Sequence, residues 1–234
     1  MKPFNYYDLI ESFAVDACPI CALTRNDVAR HLDSHLYEYA NTRETHATMR
    51  ASRGLCAHHS QQLADYPAGV LGVAILHQAV LDELLTLTDT PVRSNGGFSR
   101  WMGAANTALA DRLEPTATCF VCDALERAEA LHIRALADHI LEPRLTEAYR
   151  ASRGLCLPHF RQTLRAAPST AAHERLTALQ SDIWRALKAE LDAFTLKYDV
   201  NHADLVMGAE ADSWRRATEA LGGDPFVLGL RRKH

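Results

Sequence analysis

The stretch Met49-Arg50-Ala51-Ser52-Arg53-Gly54-Leu55-Cys56-Ala57-His58-His59 recurs as Tyr149-Arg150-Ala151-Ser152-Arg153-Gly154-Leu155-Cys156-Leu157-Pro158-His159. Seven of the first eight positions are identical, so the chain contains itself twice. Upstream, Cys18-Pro19-Ile20-Cys21 is matched by Cys119-Phe120-Val121-Cys122, at an offset of 101 rather than 100. All six cysteines fall inside this repeat. Each copy reads Cys-x-x-Cys, then room for about a helix and a half, then Cys-x-x-His. His58 and His59 leave the first copy ambiguous; Pro158 leaves only His159 in the second, and so selects His59 as its counterpart.

Outside the repeat the patterning is helical throughout, and the expected fold is all-α. Val28, Leu32, Leu36 and Tyr39 recur at helical spacing after the first Cys-x-x-Cys, as do Leu125, Ile133, Leu136 and Ile140 after the second. Gly54 and Gly154 are placed to end the helices before them as left-handed caps, and new helices should begin at Cys56 and Cys156. Further helices are expected over about 69–87, 98–113, 169–198 and 211–221. In the longest, Leu176, Leu179, Ile183, Leu187, Leu191 and Phe194 share a face. The turn-rich Asp89–Gly97 marks the internal boundary. This divides the chain into a first half (1–90), a linker and connecting helix (91–118), a second half (119–200) and a C-terminal helix and tail (201–234). Duplicated halves are expected to pack about a pseudo-twofold axis.

Length and composition limit the function. With 234 residues, 47% hydrophobic and 23% charged, the chain reads as a globular protein with a full core. A net charge of −4 gives no general attraction to nucleic acid or anionic lipid. The basic tail Arg231-Arg232-Lys233-His234 is too short to change that. No apolar run follows Met1 to Asp8, so no secretory leader is expected. The apolar stretch Gly69–Leu87 contains His77, Gln78, Asp82 and Glu83, which favours a buried helix over a membrane span. A cytoplasmic location is expected, where thiols stay reduced and Cys-x-x-Cys pairs serve metals.

Three thiolates and one imidazole in two short-spaced halves form a zinc ligand set. The expected sites are Cys18, Cys21, Cys56 and His59, and Cys119, Cys122, Cys156 and His159. Each would cross-link segments about 35 residues apart. Helix N-termini at the cysteines would favour thiolate over thiol. Arg53 and Arg153 are placed either to offset the negative charge of such a site or to form surface ion pairs. His31 and His132, ten residues after each second cysteine, read as solvent-facing rather than ligating, and the His31/His35 pair likewise. Trp101, Trp184 and Trp214 read as core residues.

At these residues the chain resembles a bacterial family of unknown function that carries Cys-Pro-x-Cys and Gly-(Phe/Leu)-Cys-x-x-His-Phe twice. The resemblance extends to Leu71-Gly72-Val73-Ala74-Ile75-Leu76, Phe194-Thr195-Leu196-Lys197-Tyr198-Asp199 and Ser213-Trp214-Arg215-Arg216-Ala217. Ser60 replaces the family phenylalanine in the first copy, and the second Cys-x-x-Cys lacks proline; neither change removes a ligand. The resemblance implies no activity.

The leading functional expectation is a helical protein held by two structural zinc ions that acts by binding a partner, its oligomeric state open. An iron–sulfur redox or sensor protein is the alternative. A zinc enzyme comes third, because four protein ligands leave no open position and no His-x-Glu, Gly-x-Ser-x-Gly, Walker or Rossmann signature is present.

Overall fold

The computed structural model describes residues 5–64, 69–90, 104–198 and 205–229, and among them the structure is helical with no strand. Two compact units emerge. The first joins residues 1–27 to 127–234, and the second is residues 28–126. The units therefore do not follow the order of the two sequence copies. The turn-rich boundary at 91–97, the start of the helix expected over 98–113, Trp101 and the basic tail lie outside the described residues.

The reason is helix length. Helix α2 (Pro19–Tyr37) begins in the first unit and ends in the second, and α7 (Phe120–His139) runs from the second into the first. At 1.5 Å per residue, α2 carries the chain roughly 28 Å and α7 roughly 30 Å. The helices that follow them, α3 (Arg43–Ala51) and α8 (Pro143–Arg150), are less than half as long. The chain leaving each Cys-x-x-Cys thus does not return to it.

In the first unit, α1 (Tyr6–Ser12), α8, α9 (Leu157–Ala166) and α10 (Thr170–Lys197) pack with the α2 start and the α7 end. The core includes Tyr6, Leu9, Ile20, Leu136, Leu145 and Leu176, each fully buried. Burying a side chain of this size stabilises by roughly 1.5–3 kcal/mol. Helix α10 starts at an N-cap, where Ser169 accepts from the Ala172 N–H, and buries Leu176 and Leu179 as its periodicity predicts. A 3-10 turn (Ala209–Asp212), α11 (Ser213–Gly222) and α12 (Pro225–Leu228) complete the unit.

The second unit holds the α2 end, α3, α4 (Ala57–Ala64), α5 (Val70–Asp89), α6 (Ala104–Leu113) and the α7 start. At Gly72 a Cβ would stand 2.2 Å from the Leu36 carbonyl oxygen, so the absence of a side chain is what lets α5 cross the end of α2.

Several expectations need correction. Helix α2 stops at Tyr37, leaving Tyr39 exposed after it. Trp214 is about half exposed, with Arg215 over its ring, rather than in the core. His132 is buried rather than solvent-facing, and its Nε2 lies 2.6 Å from Asp27. Helix α5 is not a buried helix, since only 17% of its apolar stretch is inside. Among the described residues it is the helix long and apolar enough to cross a membrane by length and composition, and Asp82 and Glu83 lie within it.

Candidate metal centres

All four half-motifs sit at helix starts. The carbonyls of Cys18, Cys56, Cys119 and Cys156 accept the first helical bonds, from the N–H groups of Ala22, Ser60, Asp123 and Phe160. The second donor of each half-motif then falls in the first turn, on the same side. Unpaired N–H groups and the positive end of the helix dipole lie there and favour thiolate. Before Cys156, Gly154 takes φ +69° and lets α10 approach; a Cβ there would meet the Gln180 amide at 2.8 Å. That amide receives the Leu155 N–H and the Tyr149 hydroxyl and donates to the Leu155 carbonyl, fixing the turn.

The eight expected residues gather four by four, but the partners are exchanged. One cluster is Cys18, Cys21, Cys156 and His159; the other is Cys56, His59, Cys119 and Cys122. The expected pairing of Cys18–Cys21 with Cys56–His59, and of Cys119–Cys122 with Cys156–His159, is overturned. Each cluster takes Cys-x-x-Cys from one copy and Cys-x-x-His from the other, because α2 and α7 are too long for the chain to double back. Each lies wholly within one unit. His31, His35 and His132 belong to neither.

Within each cluster all donor atoms lie within 4.8 Å of one another. Around His159 Nδ1 the sulfurs of Cys18, Cys21 and Cys156 stand at 3.5, 3.3 and 3.2 Å, and Cys21 and Cys156 are 3.8 Å apart. Around His59 Nδ1 those of Cys56, Cys119 and Cys122 stand at 3.3, 3.6 and 3.3 Å, and Cys56 and Cys122 are 3.7 Å apart.

Electrostatics show what the Cys18 cluster requires. Burial opposes a thiolate at Cys18, but hydrogen bonds from Cys156, Cys21 and His159 outweigh it and hold the thiol well below its usual value. Burial likewise opposes charge on His159, yet Cys156, Cys18 and Glu129 raise it well above the imidazole range. The same hydrogen bonds push Cys21 up, through Cys156 and Cys18, and push Cys156 up, chiefly through Cys18. A cation held among the sulfurs would favour thiolate at all three cysteines. In the Cys119 cluster burial raises Cys119, and burial plus the neighbouring Cys119 raises Cys122 to about 12.

The residues around the clusters differ. His159 Nε2 lies 2.8 Å from the Glu129 carboxylate, itself buried and bonded to Gln162. That carboxylate fixes the ring so that Nδ1 faces the sulfurs. Its signal in the sequence was an acidic residue inside the apolar stripe of Leu125, Ile133 and Leu136. Arg53 and Arg153 act in ion pairs and backbone contacts. Arg153 pairs with Asp16, Asp212 and Glu219; Arg53 pairs with Glu83 and donates to the Arg50 and Arg112 carbonyls. A cavity of about 840 Å³ abuts Cys18, Cys21 and Cys156, walled by Leu179, Ile183 and Leu187 of α10. At its edge Gly223 lies against Cys156, where a Cβ would stand 3.1 Å from the sulfur.

An all-helical protein whose two units each gather a Cys₃His quartet suited to a metal ion is the class that fold and site define. The chain belongs to a family of unknown function, DUF6062, which it matches over residues 7–226. It is similar, with 23% identity over 218 residues, to the uncharacterised 23.9 kDa protein in the xynA 3' region of Caldicellulosiruptor sp. (strain Rt8B.4). That alignment covers 92% of this chain and 99% of that protein. No solved structure matches the chain.

Proposed function

We propose that the protein binds two zinc ions, one per quartet, as structural cross-links, and that it serves as an interaction protein rather than an enzyme. The donor spacing carries this reading. Zn–S bonds of about 2.3 Å and a Zn–N bond of about 2.0–2.1 Å in a tetrahedron imply edges of roughly 3.8 Å between sulfurs and 3.5–3.6 Å between sulfur and nitrogen. Here Cys21–Cys156 and Cys56–Cys122 stand 3.8 and 3.7 Å apart, each ring nitrogen lies 3.2–3.6 Å from its three sulfurs, and every donor of a quartet is within 4.8 Å of the others. A two-iron cluster sets its ligands on opposite irons and spreads them further, so the compact quartets favour a single ion. Four protein donors leave no open position for substrate. All six cysteines serve the quartets and none is left for a disulfide, which suits a reducing cytoplasm. Exposed Leu71, Ala74, Gln78, Leu81 and Leu85 on α5 follow a three-four spacing, the pattern of a helix that meets another, and support the interaction reading.

Elemental analysis of the chain purified without added metal tests the reading. Colourless protein with about two zinc ions, one per quartet, is expected. A brown anaerobic preparation with iron and labile sulfide would replace it with the iron–sulfur alternative.

A further inference from the structure

The two quartets hold equally close sulfur pairs but shield them differently. Cys21 and Cys156, 3.8 Å apart, are 1% and 2% exposed, and His159 is fully buried. The cavity beside them therefore brings almost no solvent to these sulfurs. Phe160 packs edge-on against Trp184 beside His159, and Leu155 is buried next to Cys156. In the other quartet Cys56 and Cys122 are both half-buried, the residue after His59 is Ser60, and Leu55 is half-buried. The second quartet, with two neighbouring half-buried cysteines, is thus the more open to a small oxidant. In the first only Cys18 is half-buried.

We propose that Cys56 and Cys122 are a peroxide-oxidisable pair that releases the metal of the second unit while the first unit keeps its own. The proposal rests on the zinc reading above. One thiolate attacks hydrogen peroxide, forming a sulfenic acid and releasing hydroxide. The other thiolate attacks that sulfur, forms the S–S bond and displaces a second hydroxide. The two sulfurs lose two electrons and the peroxide gains two; both hydroxides leave as water after protonation. Cys119 and His59 are then the only donors left, too few to hold the ion. Oxidation that stops at Cys18 would leave Cys21, Cys156 and His159 in place, whereas attack by Cys21 or Cys156 on a Cys18 sulfenic acid would release the first ion too and is the competing outcome.

The test treats the full, metal-loaded chain with a small excess of hydrogen peroxide. Released zinc is followed with a chromophoric chelator, and cross-links are mapped by mass spectrometry of unreduced peptides. One ion per chain should leave in a phase at least about tenfold faster than the second, alongside a Cys56–Cys122 link and ahead of any Cys21–Cys156 link. Dithiothreitol with zinc should reverse it. Equal release from both quartets, or any link among Cys18, Cys21 and Cys156 forming first, would overturn the proposal. The metal-free chain receives the same treatment. There, Cys56–Cys122 linking first supports the exposure argument even if the native metal is not zinc; a link among Cys18, Cys21 and Cys156 that forms first or equally fast rejects it.

Discussion

The Cys18 quartet and the Cys119 quartet have the same donors at the same spacing, yet their surroundings diverge. His159 is steadied by Glu129. At the 101-residue offset that relates the two Cys-x-x-Cys pairs, the residue matching Glu129 is Val28, which is buried. The first quartet lies against the Tyr149–Gln180 network and the Leu136–Leu176 core; the repeat segment that supplies Cys56 and His59 to the second has Met49 and Ser60 at the positions matching Tyr149 and Phe160. A repeat can preserve the metal-binding atoms exactly where they are needed while letting the supporting shell drift, and the shell sets how firmly the ion is held.

The largest effects should come from the donors. Cys156→Ser should remove the ion of the first unit and cost several kcal/mol, on the order of half or more of a typical domain's stability, seen as a large fall or loss of the cooperative thermal transition. Cys56→Ser should lower the melting temperature less, because the second unit has the more open quartet. Equal losses from the two variants would break the comparison.

Glu129→Gln should sharpen it. Zinc affinity at the first quartet should drop about 10–100-fold while the second is unchanged, as read by chelator competition with one slow and one fast phase. A uniform effect on both ions would deny the carboxylate its orienting role. Tyr149→Phe should cost about 1 kcal/mol by freeing one acceptor site on Gln180, measured by denaturant unfolding with metal content unchanged.

The smallest effect is electrostatic and lies away from both quartets. The Lys197 ammonium, helped by the Gly208 N–H, holds the Glu210 carboxyl at about 2, below its ordinary value near 4.5. Because the folded value is the lower one, the contribution is complete above about pH 4.5 and is lost as pH falls toward 2. Glu210→Gln should flatten the acid limb of the stability profile slightly. An unchanged limb would mean the pair is already open in solution.

The repeat made the helical class, the helix starts at the cysteines and the eight donors legible, because spacing and capping are local properties. The long amphipathic helix over 170–197 was legible for the same reason. Donor pairing was not. Two equivalent Cys-x-x-His segments compete for each Cys-x-x-Cys, and the choice depends on where 19- and 20-residue helices deliver the chain. Glu129 was visible only as a misplaced charge in an apolar stripe. The exposure of α5 contradicts its composition, since hydropathy records what a helix can bury and not what it meets.

The exchanged half-motifs have a consequence for cutting the polypeptide. A fragment ending near residue 95 retains Cys18, Cys21, Cys56 and His59, two donors of each quartet, and its complement retains the rest. Neither piece can close either of these quartets alone, so the ions become the glue of reassembly: mixed fragments should rejoin when metal is supplied and separate when it is stripped. By the same logic, a gene encoding one repeat would yield a working chain only as a dimer.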